Sequence, residues 1–120
     1  MLLTGRVGQA ALEAWYRHAS VFLFPSLTEG FGYPPLEAMQ RGVPVVAASA
    51  GALPEVLGDA AGYHDPNDSA ALASEIDRVL NDDALRRERI RRGREQAATF
   101  TWARTAADIV TLLNGMGNRA

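Results

Sequence analysis

The chain has 120 residues and contains no cysteine, no lysine and no long uninterrupted apolar run. The lack of cysteine excludes disulfides and thiol chemistry and leaves the cellular compartment open. No stretch approaches the roughly 18 consecutive apolar residues that cross a bilayer, and no charged start leads into a hydrophobic signal segment. A net charge of −2 gives no general attraction to nucleic acid. The composition predicts an ordinary soluble protein with a single domain.

Two further absences narrow the class of protein. All twelve basic residues are arginines, which, together with abundant alanine, indicates a GC-rich bacterial genome. No G-x-G-x-x-G follows the first predicted strand, which argues against a dinucleotide-binding oxidoreductase. A receiver domain would need clustered aspartates at strand ends, whereas the apolar run 21–24 is followed by Pro25 and Ser26.

Short apolar runs alternate with segments of helical periodicity, which predicts an α/β fold with a parallel sheet. Strands are predicted at residues 2–4, 21–24, 44–47 and 62–64. Helices are predicted at about residues 9–18, 35–41, 53–57, 69–80, 83–99 and 102–114. The expected architecture is a partial Rossmann-like domain, a short parallel sheet with flanking helices and a helical C-terminus.

Two glutamates eight positions apart, Glu29 and Glu37, bracket a glycine–aromatic–glycine turn. The segment is predicted to run from strand through loop to helix, with Glu29 in the loop and Glu37 in the first helical turn. Ligands of parallel sheets bind at the carboxyl ends of the strands, where this loop would lie. Helix N-termini favour anions, although two prolines here each remove a donor. The amides expected to meet a phosphate are those of Phe31, Gly32, Tyr33, Leu36 and Glu37.

Each residue of this loop also has a purely structural interpretation. An acid in a first helical turn complements the helix dipole, which explains Glu37 as well as ligand binding does. The two glycines could be turn residues, Phe31 a contact into the core, and Glu29 a solvated surface acid. The joint pattern in its strand–loop–helix context favours ligand binding.

The stretch EGFGYPPLEAM, followed by RGVPVVAASAGALPEVLGDAAGYHDPND, resembles the donor-binding signature of the retaining glycosyltransferases of family 4, also called group 1. The resemblance extends from LLTGRV to FTWARTA. It implies the GT-B fold, in which two Rossmann-like domains face each other across a cleft and the nucleotide sugar lies on the C-terminal one. The donor would be GDP-mannose or a UDP-sugar, with no cofactor and no metal ion.

The resemblance also assigns roles to residues. Glu29 would contact the donor sugar as the catalytic residue, orienting it rather than acting as a general base. Glu37 would hold the ribose, since a carboxylate can accept hydrogen bonds from both vicinal hydroxyls. The remaining positions predicted to line the donor are Gly30, Phe31, Gly32, Tyr33 and, at the base, Val7.

By the same resemblance, the chain corresponds to the last third of such an enzyme. We expect the N-terminal acceptor domain and the first two donor-domain strands, with their diphosphate-binding cations, to be absent, so that the fragment alone is inactive. Residues 2–4 are then expected to pair directly with 21–24, unless a complementary chain fills the gap. The apolar side of the last helix, which carries Trp102, should be exposed or repacked.

The arginine-rich segment 86–94 is predicted to be a solvated amphipathic helix with intrahelical ion pairs. Alternatively, the segment contacts anionic lipid at the inner face of the membrane, as part of a cytoplasmic protein that binds the membrane peripherally. His18 and His64 lack second ligands nearby in sequence, so no metal site is predicted. The functional alternative is a non-catalytic nucleotide-binding or regulatory Rossmann-like module.

Overall fold

The computed structural model describes residues 1–117, which form six α-helices, a 3-10 helix and three parallel strands. The elements are α1 (Gln9–His18), β1 (Phe22–Phe24), α2 (Tyr33–Gln40), β2 (Val45–Ala48), α3 (Leu53–Leu57), the 3-10 helix (Gly58–Ala60), β3 (Gly62–His64), α4 (Ser69–Asn81), α5 (Asp83–Ala98) and α6 (Trp102–Gly117). The predicted α/β class with a helical C-terminus is confirmed.

The sheet has the order β1-β2-β3, with β2 in the centre and every pairing parallel. Phe22 pairs with Val45 across the first interface, and Val46 pairs with Gly62 across the second. All four residues of β2 are fully buried, as the continuous apolar run predicts for a strand covered on both faces. The predicted edge position of β3 is confirmed.

Residues 2–4 do not form a strand, so their predicted pairing beside β1 is wrong. Leu2 and Leu3 are each 83% exposed in an irregular segment that precedes α1. A short apolar run specifies a strand only where a neighbouring element buries its side chains, and no described element covers these leucines. The outer edge of β1 therefore has no strand beside it within residues 1–117, and Leu23 is partly exposed there.

In the core, α2 packs against β1, β2 and α5. Met39 of α2 is completely buried, and it lies close to Gly93 of α5. A methyl group at position 93 would come within 3.1 Å of the Met39 side chain, so glycine allows the two helices to approach. Burying a side chain of this size contributes about 1.5–3 kcal/mol, and the contact fixes α2 relative to α5.

Helix α2 begins at Tyr33, two residues before its predicted start. Gly32 is the N-cap, and the two prolines occupy the second and third helical positions. The helix ends as predicted before Gly42, where the Val43 N–H donates to the Ala38 carbonyl at 3.0 Å. The early start makes Glu37 the fifth helical residue, two residues further from the start of the helix than predicted.

The intrahelical ion pairs predicted for α5 are confirmed. Glu88 accepts hydrogen bonds from Arg91 and Arg92, and Arg91 also pairs with Glu95. Arg89 is different, because it turns inward and donates to the carbonyls of the 3-10 helix region at residues 59 and 61. Three of the six arginines of α5, namely Arg89, Arg91 and Arg92, therefore pair with acids within the described residues.

Helix α6 lies apart from the core, and every one of its residues is exposed. Trp102 is 82% exposed, which confirms the expected exposure of the apolar side of this helix. The other large apolar side chains exposed on α6 are Ile109, Val110, Leu112, Leu113 and Met116. None of the helices described within residues 1–117 is both long and apolar enough to span a bilayer.

Candidate functional site

The loop between β1 and α2 begins at the carboxyl end of β1, as predicted. Glu29 is half-buried in this loop, and the Ser26 hydroxyl donates to its Oε1 atom at 2.8 Å. This hydrogen bond crosses only three residues and orients one carboxylate oxygen. Glu29 is thus a fixed acid at the ligand-binding edge of a parallel sheet, rather than a freely solvated one.

A second loop, which follows β2, supports the backbone of Glu29. Gly51 adopts a left-handed φ of +56°, and a Cβ atom there would lie 3.3 Å from the Glu29 carbonyl oxygen. Glycine therefore permits a close approach between the two loops that a larger residue would oppose. Gly51 was not among the predicted site residues, although a glycine shortly after a buried strand is a sequence signal for such a position.

The two glycines of the predicted turn have different environments. Gly32 is buried with a φ of +97°, and a Cβ atom there would lie 2.8 Å from Leu53 Cδ2. The predicted close approach at Gly32 is thus to the protein core. Gly30 is exposed, and a Cβ atom there would meet nothing within 4 Å. Only Gly30 faces open space in which another molecule could lie.

The aromatic side chains of the loop pack against the start of the C-terminal helical region. The ring of Phe31 lies 4.8 Å from that of Tyr33 and makes an edge-on contact with Phe100 at 5.3 Å. Phe31 also packs against the core, in agreement with the structural interpretation of its side chain. A cleft of about 390 Å³ runs between these rings, Glu37 and Trp102. Tyr33 itself is exposed.

Glu37 lies on the exposed face of α2, in the second helical turn. Its predicted first-turn position is wrong because Gly32, rather than a proline, starts the helix. The dipole effect falls off within the first turn, so charge complementarity with the helix no longer explains this acid. Helical geometry also commits the N–H groups of Leu36 and Glu37 to bonds within the helix, which removes both from the predicted phosphate donors. The Tyr16 hydroxyl donates to Glu37 Oε2 at 3.4 Å.

An ion pair joins α1 to the C-terminal end of α2, one helical turn after Glu37. The Arg41 guanidinium forms a bidentate pair with Glu13 at 2.7–3.0 Å and also donates to the Glu37 carbonyl at 3.1 Å. The hydrogen bond from Arg41 lowers the pKa of Glu13, and the same bond raises the pKa of Arg41. Arg41 also lies over the Tyr16 ring, 4.9 Å from its centroid. Sequence reasoning missed these residues because they are 25 to 28 positions apart.

Two other groups of predicted residues lie outside this loop. Val7 is in the irregular segment before α1, so its assignment to the nucleobase stays a prediction. His64 is buried at the end of β3, and its Nδ1 atom lies 2.8 Å from the Asp65 carbonyl. Within residues 1–117 no three His, Cys, Asp or Glu side chains assemble into a possible metal site.

The three-stranded parallel sheet, its helical layers and the loop at the carboxyl end of β1 define a Rossmann-like α/β domain. The family model for group 1 glycosyl transferases matches residues 1–96, and the chain therefore belongs to this family. The resemblance drawn from the EGFGYPPLEAM stretch is confirmed.

Curated relatives and solved structures agree with this family. The chain is 46% identical over 98 residues to the O-antigen chain mannosyltransferase B of Escherichia coli, a match that covers 82% of the chain and 26% of that protein. It is 39% identical over 113 residues to the D-inositol 3-phosphate glycosyltransferase of Streptomyces avermitilis, covering 88% and 24%. The chain thus spans about a quarter of the length of these relatives.

Two solved structures share the fold. Sucrose-phosphate synthase from Thermosynechococcus elongatus superposes with a TM-score of 0.80 at 31% identity, over 98% of the chain and 30% of that structure. The C-terminal domain of a group 1 glycosyl transferase from Francisella tularensis gives 0.71 at 30% identity, over 81% and 51%. The predicted correspondence to the C-terminal part of a GT-B enzyme is confirmed.

Proposed function

We propose that this chain forms the donor-binding part of a glycosyltransferase that takes a nucleoside-diphosphate sugar, GDP-mannose or a UDP-sugar, and transfers the sugar with retention. The observation that carries the proposal is the position of Glu29 and Glu37 on one loop–helix segment at the carboxyl end of β1. Membership of the group 1 family supports glycosyl transfer, and relatives named mannosyltransferases favour mannose as the sugar.

In this proposal the two acids bind different parts of the donor. Glu29, which Ser26 and the loop at Gly51 hold in place, orients the sugar hydroxyls. Glu37 accepts hydrogen bonds from the two ribose hydroxyls. A hydroxyl pair suits a carboxylate, whereas a phosphate beside it would repel its negative charge. The donor also contacts the Phe31–Gly32 backbone, with Gly30, Tyr33 and Val7 completing its surroundings.

The proposed reaction requires stabilisation of charge in the transition state and does not require a strong base. The bond between the anomeric carbon and the diphosphate oxygen breaks, and the acceptor oxygen bonds to that carbon on the same face. The departing phosphate takes the proton of the acceptor hydroxyl. Transition-state charge on the ring and on the diphosphate is stabilised by fixed dipoles and charges, which is consistent with an orienting role for Glu29.

We assign the acceptor to a facing N-terminal domain or to a complementary chain, because the relatives are about four times as long as the matched segment. The isolated chain would then bind donor without transferring sugar. We place the protein in the cytoplasm, with peripheral membrane contact through α5 as a minor proposal. The pairing of Arg91 and Arg92 with Glu88 weakens that contact, because it leaves fewer free charges for anionic lipid.

A second candidate is a nucleotide-binding or regulatory module without transferase activity of its own. The observation that favours it is the loop at the carboxyl end of β1, where a parallel sheet can bind a nucleotide whether or not it catalyses a transfer. Nucleotide binding without sugar transfer, even when a facing domain is supplied, would support this alternative.

The test replaces the matching segment of the Escherichia coli O-antigen chain mannosyltransferase B with this chain and measures donor kinetics. We expect Glu37→Gln to raise the donor KM by one to two orders of magnitude, since a hydrogen bond to a charged group contributes about 1.5–3 kcal/mol. Glu29→Ala should lower kcat more than it raises KM, because sugar orientation matters most in the transition state.

Glu55 provides the matched control for these two variants. It is exposed in the first turn of α3, where an acid complements the helix dipole, and Glu55→Ala should leave both kinetic constants near the parent values. If Glu55→Ala abolishes turnover while Glu29→Ala and Glu37→Gln leave it unchanged, the site does not lie in the β1–α2 loop.

A further inference from the structure

We infer that Tyr16 of α1 is a positioning residue for Glu37: its hydroxyl orients the carboxylate that receives the donor ribose. The inference rests on the proposed function, because it assigns the support of the same site. Tyr16 and Glu37 are 21 positions apart and lie on different helices, so the fold alone brings them together.

Tyr16 is a rigid donor because the core fixes its ring. The side chain is only 5% exposed, and its ring lies 5.7 Å from that of Phe22 on β1. The guanidinium of Arg41 covers the ring at 4.9 Å, and its bidentate pair with Glu13 holds it there. The sheet and two helices therefore define the position of the Tyr16 hydroxyl.

Glu37 has little else to orient its side chain. It is exposed on α2, and Tyr16 is the sole donor to its carboxylate among residues 1–117. Arg41 donates to the backbone carbonyl of Glu37 and leaves the carboxylate to Tyr16. An exposed glutamate otherwise samples several rotamers and loses that freedom on binding a ligand. Fixing one oxygen in advance lowers this cost for a diol that needs both oxygens in a set direction.

The hydroxyl also stays in its donating form. Burial raises the pKa of Tyr16, and the nearby negative charge of Glu37 raises it further. The phenol therefore remains protonated throughout the neutral range. A phenylalanine would fill the same space in the core, so the hydroxyl is not required for packing. Its one partner within residues 1–117 is an exposed acid of the proposed site, which points to a role in binding.

The test measures nucleotide binding to the complete chain by amide chemical shifts, with GDP, UDP and their 2′,3′-dideoxy forms as probes. For the nucleotide that binds more tightly, we expect Tyr16→Phe to weaken binding about three- to tenfold. The same variant should leave binding of the dideoxy form unchanged. In a Tyr16→Phe, Glu37→Gln double variant, the tyrosine change should have no further effect.

Tyr63 provides a matched control variant. Its hydroxyl donates to the Gly58 carbonyl at 2.6 Å, so Tyr63→Phe also removes one tyrosine hydroxyl and its hydrogen bond, but without touching Glu37. This variant should bind every probe as the unchanged chain does. A second readout needs no ligand: in chains with ¹³C-labelled tyrosine rings, Glu37→Gln should lower the pKa of Tyr16.

The outcomes separate this inference from the proposed function. If Glu37→Gln weakens binding of the ribose form while Tyr16→Phe matches Tyr63→Phe, positioning by Tyr16 is overturned and the proposed function stands. Equal losses of ribose and dideoxy forms in Tyr16→Phe would show a merely structural role and also overturn the inference. If no nucleotide shifts the amide signals of residues 30–37, or if Glu37→Gln leaves nucleotide binding unchanged, both the inference and the proposed function are overturned.

Discussion

Replacing Gly32 with alanine should destabilise the domain far more than the same change at Gly30, two residues earlier. Gly32 has a φ of +97°, whereas Gly30 lies outside the left-handed region. Holding a residue with a Cβ in a left-handed conformation costs about 1–2 kcal/mol. The new methyl group would also lie 2.8 Å from Cδ2 of Leu53, which is completely buried. Inserting a methyl group into a packed core costs about 1–3 kcal/mol.

The two effects together give an expected loss of about 2–5 kcal/mol for Gly32→Ala. At Gly30 an added Cβ meets nothing within 4 Å, so Gly30→Ala should change stability by less than about 0.5 kcal/mol. With a urea m-value of about 1–3 kcal/mol/M for a small domain, the urea midpoint of the Gly32 variant should be lower by at least about 0.7 M.

The assay is urea unfolding followed by circular dichroism, with both variants at the same protein concentration. Equal midpoints for Gly30→Ala and Gly32→Ala would contradict this expectation, because they would show that Gly32 is neither left-handed nor packed against Leu53. A large loss at Gly30 and none at Gly32 would refute it equally. An unchanged m-value would show that the loss reflects stability rather than a change in the unfolded chain.

Three other predictions concern α5, α6 and the donor. Hydrogen bonds from Arg91 and, to a smaller extent, from Arg92 lower the pKa of Glu88 to about 2. The stability that this carboxylate contributes is therefore present above pH 4.5 and is lost as the pH falls towards 2. Glu88→Gln should make the urea midpoint fall less steeply with decreasing pH, and an unchanged pH dependence would contradict this. The exposed apolar side of α6 should make the chain self-associate, and Leu112→Ser with Leu113→Ser should reduce this in sedimentation experiments, whereas a strictly monomeric parent chain would contradict it. Because the diphosphate-binding cations are expected outside this chain, donor affinity should be millimolar at best, about 4 kcal/mol, and micromolar binding by calorimetry would contradict that expectation.

Most helices could be predicted from the sequence because their signals are local. The bounds of α1, α3 and β3 are as predicted, and Asp68 caps α4 through a hydrogen bond to the Ala71 amide at 2.9 Å. Capping residues, periodicity and turn residues act within a few positions of one another, so they can be recognised in the sequence without knowledge of the fold. Residues 2–4 show the limit, because an apolar run becomes a strand only when another element pairs with it.

The candidate site likewise has a part that could be predicted from local sequence and a part that depends on the fold. Glu29, Gly32 and Glu37 belong to one contiguous segment, and their positions followed from the pattern apart from the helical turn of Glu37. That error arose because the proline pair suggested a start at the first helical position, whereas the left-handed Gly32 starts the helix earlier. The contacts that Tyr16 and Gly51 make with the site could not be predicted, since they depend on how α1 and the loop after β2 pack, although Gly51 itself was a visible turn glycine.

The central claim is that the Glu29–Glu37 segment binds a nucleotide sugar. The most direct measurement is a titration of the ¹⁵N-labelled chain with GDP-mannose and with UDP-glucose. We expect saturable amide shifts in residues 29–37, their neighbours and Val7, with a millimolar affinity that Glu37→Gln weakens. Shifts concentrated instead in the cleft between Tyr63 and Arg89, or none with either donor, would contradict it.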